Sequence, residues 1–238
     1  MAQFLNRGKK IVAIGRNYLE HVKELGNTVP PEPFFFLKPT TSYLTGGRFE
    51  VPRGVLVHHE IELGVVIGKT GRDISEAEAD SYVAGYTLSI DMTARNMQDA
   101  VKKKGLPWSA AKGFDTFTPT SPFIPREKIP DPHNLNLWLK ACHINGQFKQ
   151  NGTTADMMNR IPRLIQHVSS IMTLEEGDLL LTGQSIAFCV VECTPSGVGP
   201  VNVGDRVTAG LAIPNQPDLL ASLELEAVAR EGGYAFKG

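Results

Sequence analysis

Apolar positions fall into short blocks rather than long stripes, and the periods of those blocks predict a strand-rich fold with small helices. Ile11 to Ile14 is a continuous apolar run of strand type. Asn17 followed by Glu20 resembles a capping pair and Gly26 supplies a stop, which predicts a short helix over Tyr18 to Leu25. Pro30, Pro31, Pro33 and Pro39 surround Phe34 to Phe36, so that stretch is extended and anchored by aromatic rings. Val55 to Ile67 alternates and then becomes continuously apolar, as a strand does on passing from solvent into a core. Ser75 and Glu78 form a capping box for a small helix, and Tyr82 to Ile90 returns as a strand.

Thr93 to Lys104, closed by Gly105 and Pro107, reads as the next helix. A further one is predicted from Ile161 to Met172: Pro162 suits a first turn, and Leu164, Ile165, Val168, Ile171 and Met172 make one apolar face. Leu135 to Lys140, Leu179 to Thr182, Val207 to Ile213 and Ala221 to Ala229 are strand-like. Strands and helices do not alternate regularly, so the fold class expected is α+β with a mixed sheet rather than a doubly wound one. The 238 residues contain no repeat, low-complexity tract or Gly/Ser linker, which makes one domain the expectation.

Composition narrows the function classes. The chain carries 24 Lys plus Arg against 25 Asp plus Glu, a net charge of −1. Its one tight basic cluster, Lys102 to Lys104, sits where it complements a helix C-terminus, so nucleic acid is not an expected partner. Ile186 to Val191, the longest apolar run, is far short of the roughly 20 residues a spanning helix needs, and no membrane partner is expected. Cys142, Cys189 and Cys193 do not make a disulfide framework, which implies a reducing compartment. Arg7, Lys9, Lys10 and Arg16 precede the first acid, Glu20, a weak form of an organelle presequence, so mitochondrion and cytoplasm both stand as compartments.

Chemistry concentrates in a few carboxylates. Glu60 and Glu62 are two apart on an expected strand, so both project from one face. Like charges at that spacing repel unless a cation lies between them, although a lone Glu-x-Glu is more often just a solvated face. Here the pair enters the apolar run Leu63 to Ile67. Asp91 ends the Tyr82 to Ile90 strand, where it could equally cap the next helix. Lys112, between Ala110-Ala111 and Gly113, has small neighbours that imply an enclosed position and a carboxylate partner.

Six motifs in order carry a resemblance: Gly15-Arg-Asn-Tyr-x-x-His-x-x-Glu, Phe34-Phe-Phe-Leu-Lys-Pro-Thr, His58-His-Glu-Ile-Glu-Leu, Asp91-Met-Thr-Ala-Arg-Asn-Met-Gln, Lys103-Lys-Gly-Leu-Pro-Trp and Ala111-Lys-Gly-Phe-Asp. From about Lys10 to the end, the chain resembles the fumarylacetoacetate hydrolase family, in particular its acylpyruvase and oxaloacetate-processing branch. The resemblance implies a mixed β-roll with short peripheral helices, a homodimer, and one divalent ion, Mg²⁺ or Mn²⁺, on Glu60, Glu62 and Asp91. It makes Lys112 the charged neighbour of that site and puts Arg16, Arg95, Gln98 and Thr194 at positions that meet the substrate. His21 and Glu24 match a dyad on a lid helix within residues 17–30; without the resemblance they would read as an exposed helix pair. Residues 1–9 are left as an N-terminal tail.

Three carboxylates suit a hard divalent ion and leave room for a 2-oxo acid to chelate it. The implied reaction is cleavage of an acylpyruvate to pyruvate and a carboxylic acid, or decarboxylation of oxaloacetate, through a pyruvate enolate that the ion and Lys112 stabilise. His21 with Glu24 would activate water for the hydrolysis. A keto-enol tautomerase of oxaloacetate on the same ion is the alternative. The three carboxylates, the ion and Lys112 sum to zero charge, so a doubly charged enolate calls for further positive charge, part of it from Arg95. One departure stands out: Thr182-Gly183 is separated from Thr194-Pro-Ser-Gly-Val-Gly by ten extra residues, Gln184 to Cys193. That insertion supports a third reading, a catalytically impaired binding relative. Cys142, His143, Cys189 and Cys193 are of zinc-ligand type, but adjacent Cys-His is poor spacing for one tetrahedral site.

Overall fold

Continuously apolar runs become central strands, and alternating runs become strands with one wet face. The computed structural model describes residues 3–18, 31–142, 148–183 and 199–238. His21, Glu24, His143, Cys189, Cys193 and Thr194, with most of the expected lid helix and the whole 184–193 insertion, lie outside the described residues.

In chain order the strands are β1 (Ile11–Gly15), β2 (Phe34–Lys38), β3 (Tyr43–Leu44), β4 (Gly47–Val51), β5 (Val57–His58), β6 (Ile61–Ile67), β7 (Val83–Ile90) and β8 (Thr93–Ala94). They continue as β9 (Thr118–Pro119), β10 (Ile124–Pro125), β11 (Asn136–Cys142), β12 (Phe148–Thr153), β13 (Leu179–Leu181), β14 (Pro200–Val201), β15 (Arg206–Ala212) and β16 (Leu219–Ala229). Six form a sheet in the order β10-β7-β6-β13-β1-β2, and five form another in the order β12-β11-β15-β16-β4. Both are mixed: β1 runs parallel to β13 and antiparallel to β2, while β16 runs parallel to β4 and antiparallel to β15. The described helices are short, the longest being Ile161–Ile171 and Arg95–Lys103. The α+β class with mixed sheets is therefore the one expected from the sequence pattern.

Every residue of β6 is buried, which is why its sequence lacks alternation, whereas β16 alternates inward and outward along Leu223, Leu225 and Ala227. Leu63 and Leu88 from the first sheet, Leu137, Leu139, Val207 and Leu211 from the second, and Leu164 and Val168 from the Ile161–Ile171 helix share one core. No helix of the described residues is long and apolar enough to cross a membrane.

Several local expectations are corrected. The Val55 to Ile67 segment is not one strand: β5 belongs to a three-stranded sheet with β14 and β8, and β6 to the six-stranded one, so the chain changes sheets at His59 and Glu60. Thr93 and Ala94 pair with β5, which delays the next helix to Arg95. Tyr18 is itself not helical but makes an antiparallel bridge to Met157; the rest of the expected helix lies outside the described residues. Asn17 has partners far outside any local turn. Its Nδ2 donates to the carbonyls of Thr182 (2.8 Å) and Asn159 (3.0 Å), and its Oδ1 accepts from Asn159 N–H (2.8 Å), so it ties β1 to two distant segments.

Residues 3–9 do more than trail. Phe4–Arg7 is a helical turn whose Phe4 is buried edge-on against Tyr43. Arg7 pairs with Glu176 (2.7 Å), Lys9 with Glu175 (2.7 Å) and Lys10 with Asp178 (2.5 Å). The outer two pairs are exposed and add little stability. Together the three pairs engage three of the four basic residues that resembled a presequence.

His133 fixes the start of the Ile161–Ile171 helix by accepting the Ile161 N–H at Nε2 (3.2 Å), which requires a neutral ring nitrogen. Burial, then Arg160, holds its pKa below the ordinary histidine value. The unfolded chain therefore binds the proton more readily, and stability should fall as pH drops below about 6.5 toward the folded pKa. In melting curves from pH 7.5 to 5, His133→Gln should lessen this slope, because its amide oxygen accepts without titrating; an unchanged slope would assign the effect elsewhere.

Candidate metal centre and active site

The register of β6 on β7 builds the centre. Ile61 pairs with Ile90 and Glu62 with Ser89, which carries Asp91 alongside Glu60, and the Asp91 N–H donates to the Glu60 carbonyl (2.8 Å). One carboxylate oxygen from each of Glu60, Glu62 and Asp91 then lies within 4.8 Å of the others. This is the one group of three or more such ligand residues among the described residues. Only Glu62 stands on a strand; Glu60 stands at the change of sheets, so the expected shared strand face is replaced by a strand and a break beside it. Asp91 is no helix cap, because its carboxylate faces two lysines.

Lys112, at the end of the helical turn Ser109–Lys112, donates to Glu60 Oε2 (2.9 Å) and to Asp91 Oδ2. Its Nζ lies 4.9 Å from the centre of the Phe36 ring. Burial works to lower its pKa, but Asp91 and Glu60 outweigh that and hold the ammonium above the ordinary lysine value. The enclosed, carboxylate-paired lysine expected from its small neighbours is thus what the fold provides.

A second lysine was not singled out from sequence. Lys38, 1% exposed at the end of β2, donates to Asp91 Oδ1 and to the carbonyl of Phe117 (2.8 Å), with Met92 O at 3.4 Å. Burial lowers its pKa and Lys112 adds to that, while Asp91 opposes. Three acceptors around one Nζ are the surroundings of an ammonium. A signal existed in the strand period: Phe36 and Lys38 share a face, and Phe36 lies against Lys112.

Arg95 opens its helix and donates through Nη2 to Glu60 Oε1 (3.1 Å) and through Nη1 to Gln98 Oε1 (2.5 Å), one turn along. The expected Arg95 and Gln98 therefore meet beside the triad. Arg16, with a left-handed backbone (φ 58°), instead lines a neighbouring groove of about 710 Å³ with Phe34, Phe36, Lys102 and Trp108. His21, Glu24 and Thr194 lie outside the described residues, as do three of the four zinc-type residues.

Gly183 is the other residue that sequence left without a role. Its φ of 92° turns the N–H onto Glu62 Oε2 (2.8 Å), and a Cβ there would stand 2.9 Å from the Asn17 Cβ, so both backbone and space require glycine. Burial, then Asp91 and Glu60, pushes the Glu62 carboxyl well above its usual range, with Lys112 and the Gly183 N–H opposing. Tyr18 buries its phenol nearby, and burial followed by the charge of Glu62 pushes its pKa up.

The donor set fits a hard divalent ion: carboxylate oxygens only, converging within 4.8 Å of one another. The three carboxylates share the centre with three cations, Lys38, Lys112 and Arg95, which pair with Glu60 and Asp91. A divalent ion would therefore leave the centre with a formal charge of two positive, so the shortfall in the sequence-based charge count is made good by Lys38.

Mixed sheets closed around a carboxylate-and-lysine cluster define the class, an α+β enzyme fold with an acidic centre of metal-ligand type. Residues 10–221 match the model for the C-terminal domain of fumarylacetoacetate (FAA) hydrolase, and the chain belongs to that family. It is 54% identical over 214 residues to the mitochondrial oxaloacetate decarboxylase of Dictyostelium discoideum, covering 89% of this chain and 92% of that protein. It is 50% identical over 213 residues to the human mitochondrial oxaloacetate tautomerase FAHD1, covering 89% and 90%. Among solved structures, the yeast fumarylacetoacetate hydrolase family protein ynq8 superposes with a TM-score of 0.85 at 36% identity over 100% of both chains. Fumarylpyruvate hydrolase from Pseudomonas aeruginosa, solved with Mn²⁺ and pyruvate, gives 0.79 at 28% identity over 94% of this chain and 91% of that one.

Proposed function

We propose that this chain is a divalent-metal-dependent enzyme of 2-oxo acids that handles oxaloacetate through its enolate, decarboxylating it and cleaving acylpyruvates. The observation that carries this is the charge balance: with an ion on Glu60, Glu62 and Asp91, the centre has the two positive charges that match a dicarboxylate. The bound ion supplies Lewis-acid polarisation of the 2-oxo acid oxygens. Lys112 and Lys38 hold Asp91 from both of its oxygens, so the ligand keeps its charge and its orientation. With Arg95 they make the field positive where negative charge develops at the keto oxygen, and being fixed beforehand they need no reorganisation. In decarboxylation the C3–C4 bond breaks, its electron pair becomes the enolate, carbon dioxide leaves and C3 is later protonated. Hydrolysis of an acylpyruvate further requires hydroxide to add to the distal carbonyl, the role assigned to His21 supported by Glu24. Arg16, Gln98 and Thr194 are assigned to substrate binding.

The tautomerase reading is favoured by the names of several relatives near 50% identity and by chemistry: enolisation of oxaloacetate draws on the same electrostatic cluster and breaks no C–C bond. The two readings separate in one assay. Purified protein with Mg²⁺ and then Mn²⁺ is given oxaloacetate, while enol absorbance and pyruvate are followed together. Pyruvate formed well above the ion-only rate supports the lyase; enol decay without pyruvate supports the tautomerase. Glu60→Gln should abolish either activity, and His21→Ala should strike acylpyruvate hydrolysis hardest. Full activity in Glu60→Gln would overturn the centre itself. Mg²⁺ or Mn²⁺ as the ion, a homodimer, and a mitochondrial location complete the proposal, supported by the family and the names of relatives.

A further inference from the structure

Glu60 lies outside any strand, at the change of sheets, yet its carboxylate must stay aligned with those of strand-held Glu62 and of Asp91. Support for it comes from the other sheet. Gln150, on β12, is a fully buried polar side chain, which calls for a reason. Its Oε1 enters the break between β5 and β6, where it accepts the Ile61 N–H (3.1 Å) and meets His59 Nδ1 (2.8 Å).

The Ile61 N–H can only donate, so the amide of Gln150 must present its oxygen there. Facing that oxygen, His59 must carry its proton on Nδ1. One side-chain atom therefore holds the residues on both sides of Glu60, and the Glu60 carbonyl is held in turn by the Asp91 N–H (2.8 Å). His59 is itself fully buried.

We infer that Gln150 and His59 are positioning residues for the metal ligand Glu60, a clamp from the five-stranded sheet that sets the geometry of the triad; this rests on the metal-centre reading above. Neither touches substrate. Outer-shell partners of metal ligands characteristically affect affinity by about 10–100-fold. The same is expected here.

The test uses the full chain stripped of metal, titrated with Mn²⁺ by calorimetry or by the electron paramagnetic resonance of free Mn²⁺, with ion-free melting measured alongside. Gln150→Met, close in volume but without the acceptor, should weaken Mn²⁺ binding by about 10–100-fold. His59→Phe should weaken it too, while His59→Asn, which keeps a donor near the Nδ1 position, should recover most of the affinity. Because His59 acts through the Gln150 oxygen, the double variant Gln150→Met with His59→Phe should bind no more weakly than Gln150→Met alone. Wild-type affinity in Gln150→Met, or equal losses in His59→Phe and His59→Asn, would overturn the clamp. If Gln150→Met does not fold, the two His59 variants decide alone. Glu60→Gln serves as the control: if it binds Mn²⁺ like wild type, the metal-centre reading falls; if it loses binding while Gln150→Met keeps it, only the clamp falls.

Discussion

Asp91→Asn is expected to lose more than about a thousand-fold in oxaloacetate turnover and to destabilise the fold by about 3–5 kcal/mol. Each oxygen of this carboxylate faces a buried ammonium, Lys38 on one side and Lys112 on the other. An amide in its place turns an NH₂ toward one of them and leaves two buried cations on too little negative charge. Breaking a buried pair from one side is the costly case, because the remaining ion stays buried without its counterpart. For a chain of this size the loss corresponds to a melting temperature lower by roughly 10 °C. Mn²⁺ binding should weaken at the same time, since a ligand oxygen has lost its charge. Calorimetric melting of the ion-free protein, beside turnover with Mn²⁺, checks both halves. Melting together with wild type would mean that the lysines do not depend on Asp91.

Lys38→Met should differ from Asp91→Asn on two of those measures. Methionine occupies similar volume without a charge to desolvate, and Asp91 retains Lys112. Stability without ion should therefore change little. Mn²⁺ should bind more tightly, because a positive charge has been removed from beside its ligands. Turnover of oxaloacetate should nevertheless fall by about a hundred-fold, since a preorganised cation has been lost from the place where negative charge develops. Tighter ion binding with slower turnover is a combination that simple damage to the centre would not produce. Weaker Mn²⁺ binding in this variant would show that Lys38 holds Asp91 in place rather than supplying field.

The parts of the centre legible in sequence were those whose chemistry contradicts their surroundings. Glu62 inside a fully apolar run and Lys112 among small residues each announce a partner, and the ordered motifs added Asp91 and Arg95. Lys38 escaped because a lysine before Pro39 at the end of an aromatic strand looks like a strand end reaching solvent. Only the contact with Asp91, 53 residues away, gives it a role. The long-range role of Asn17 escaped for a related reason. Asparagine is a favoured cap, and local reading cannot see a carbonyl on Thr182, 165 residues later. The change of sheet at Glu60 was hidden because both pieces have extended backbone and apolar residues, so pairing partners alone divide them. Likewise β12, Phe-Lys-Gln-Asn-Gly-Thr, has too little apolar pattern to be read as a strand, and it is held by its ladder to β11.

The placing of β13 has a temporal side. This strand lies between β1 and β6, parallel to the first and antiparallel to the second, and its continuation delivers Gly183 to Glu62, 121 residues earlier in the chain. Sheets closed by such distant partners form slowly, because loop entropy is spent before contacts repay it. A growing chain acquires all three carboxylates and both lysines by residue 112, well before β13 is made. It still lacks the strand that joins β1 to β6. The centre therefore assembles only after β13 has been made, and a product truncated before residue 179 would carry every ligand of the ion without the strand that completes their site.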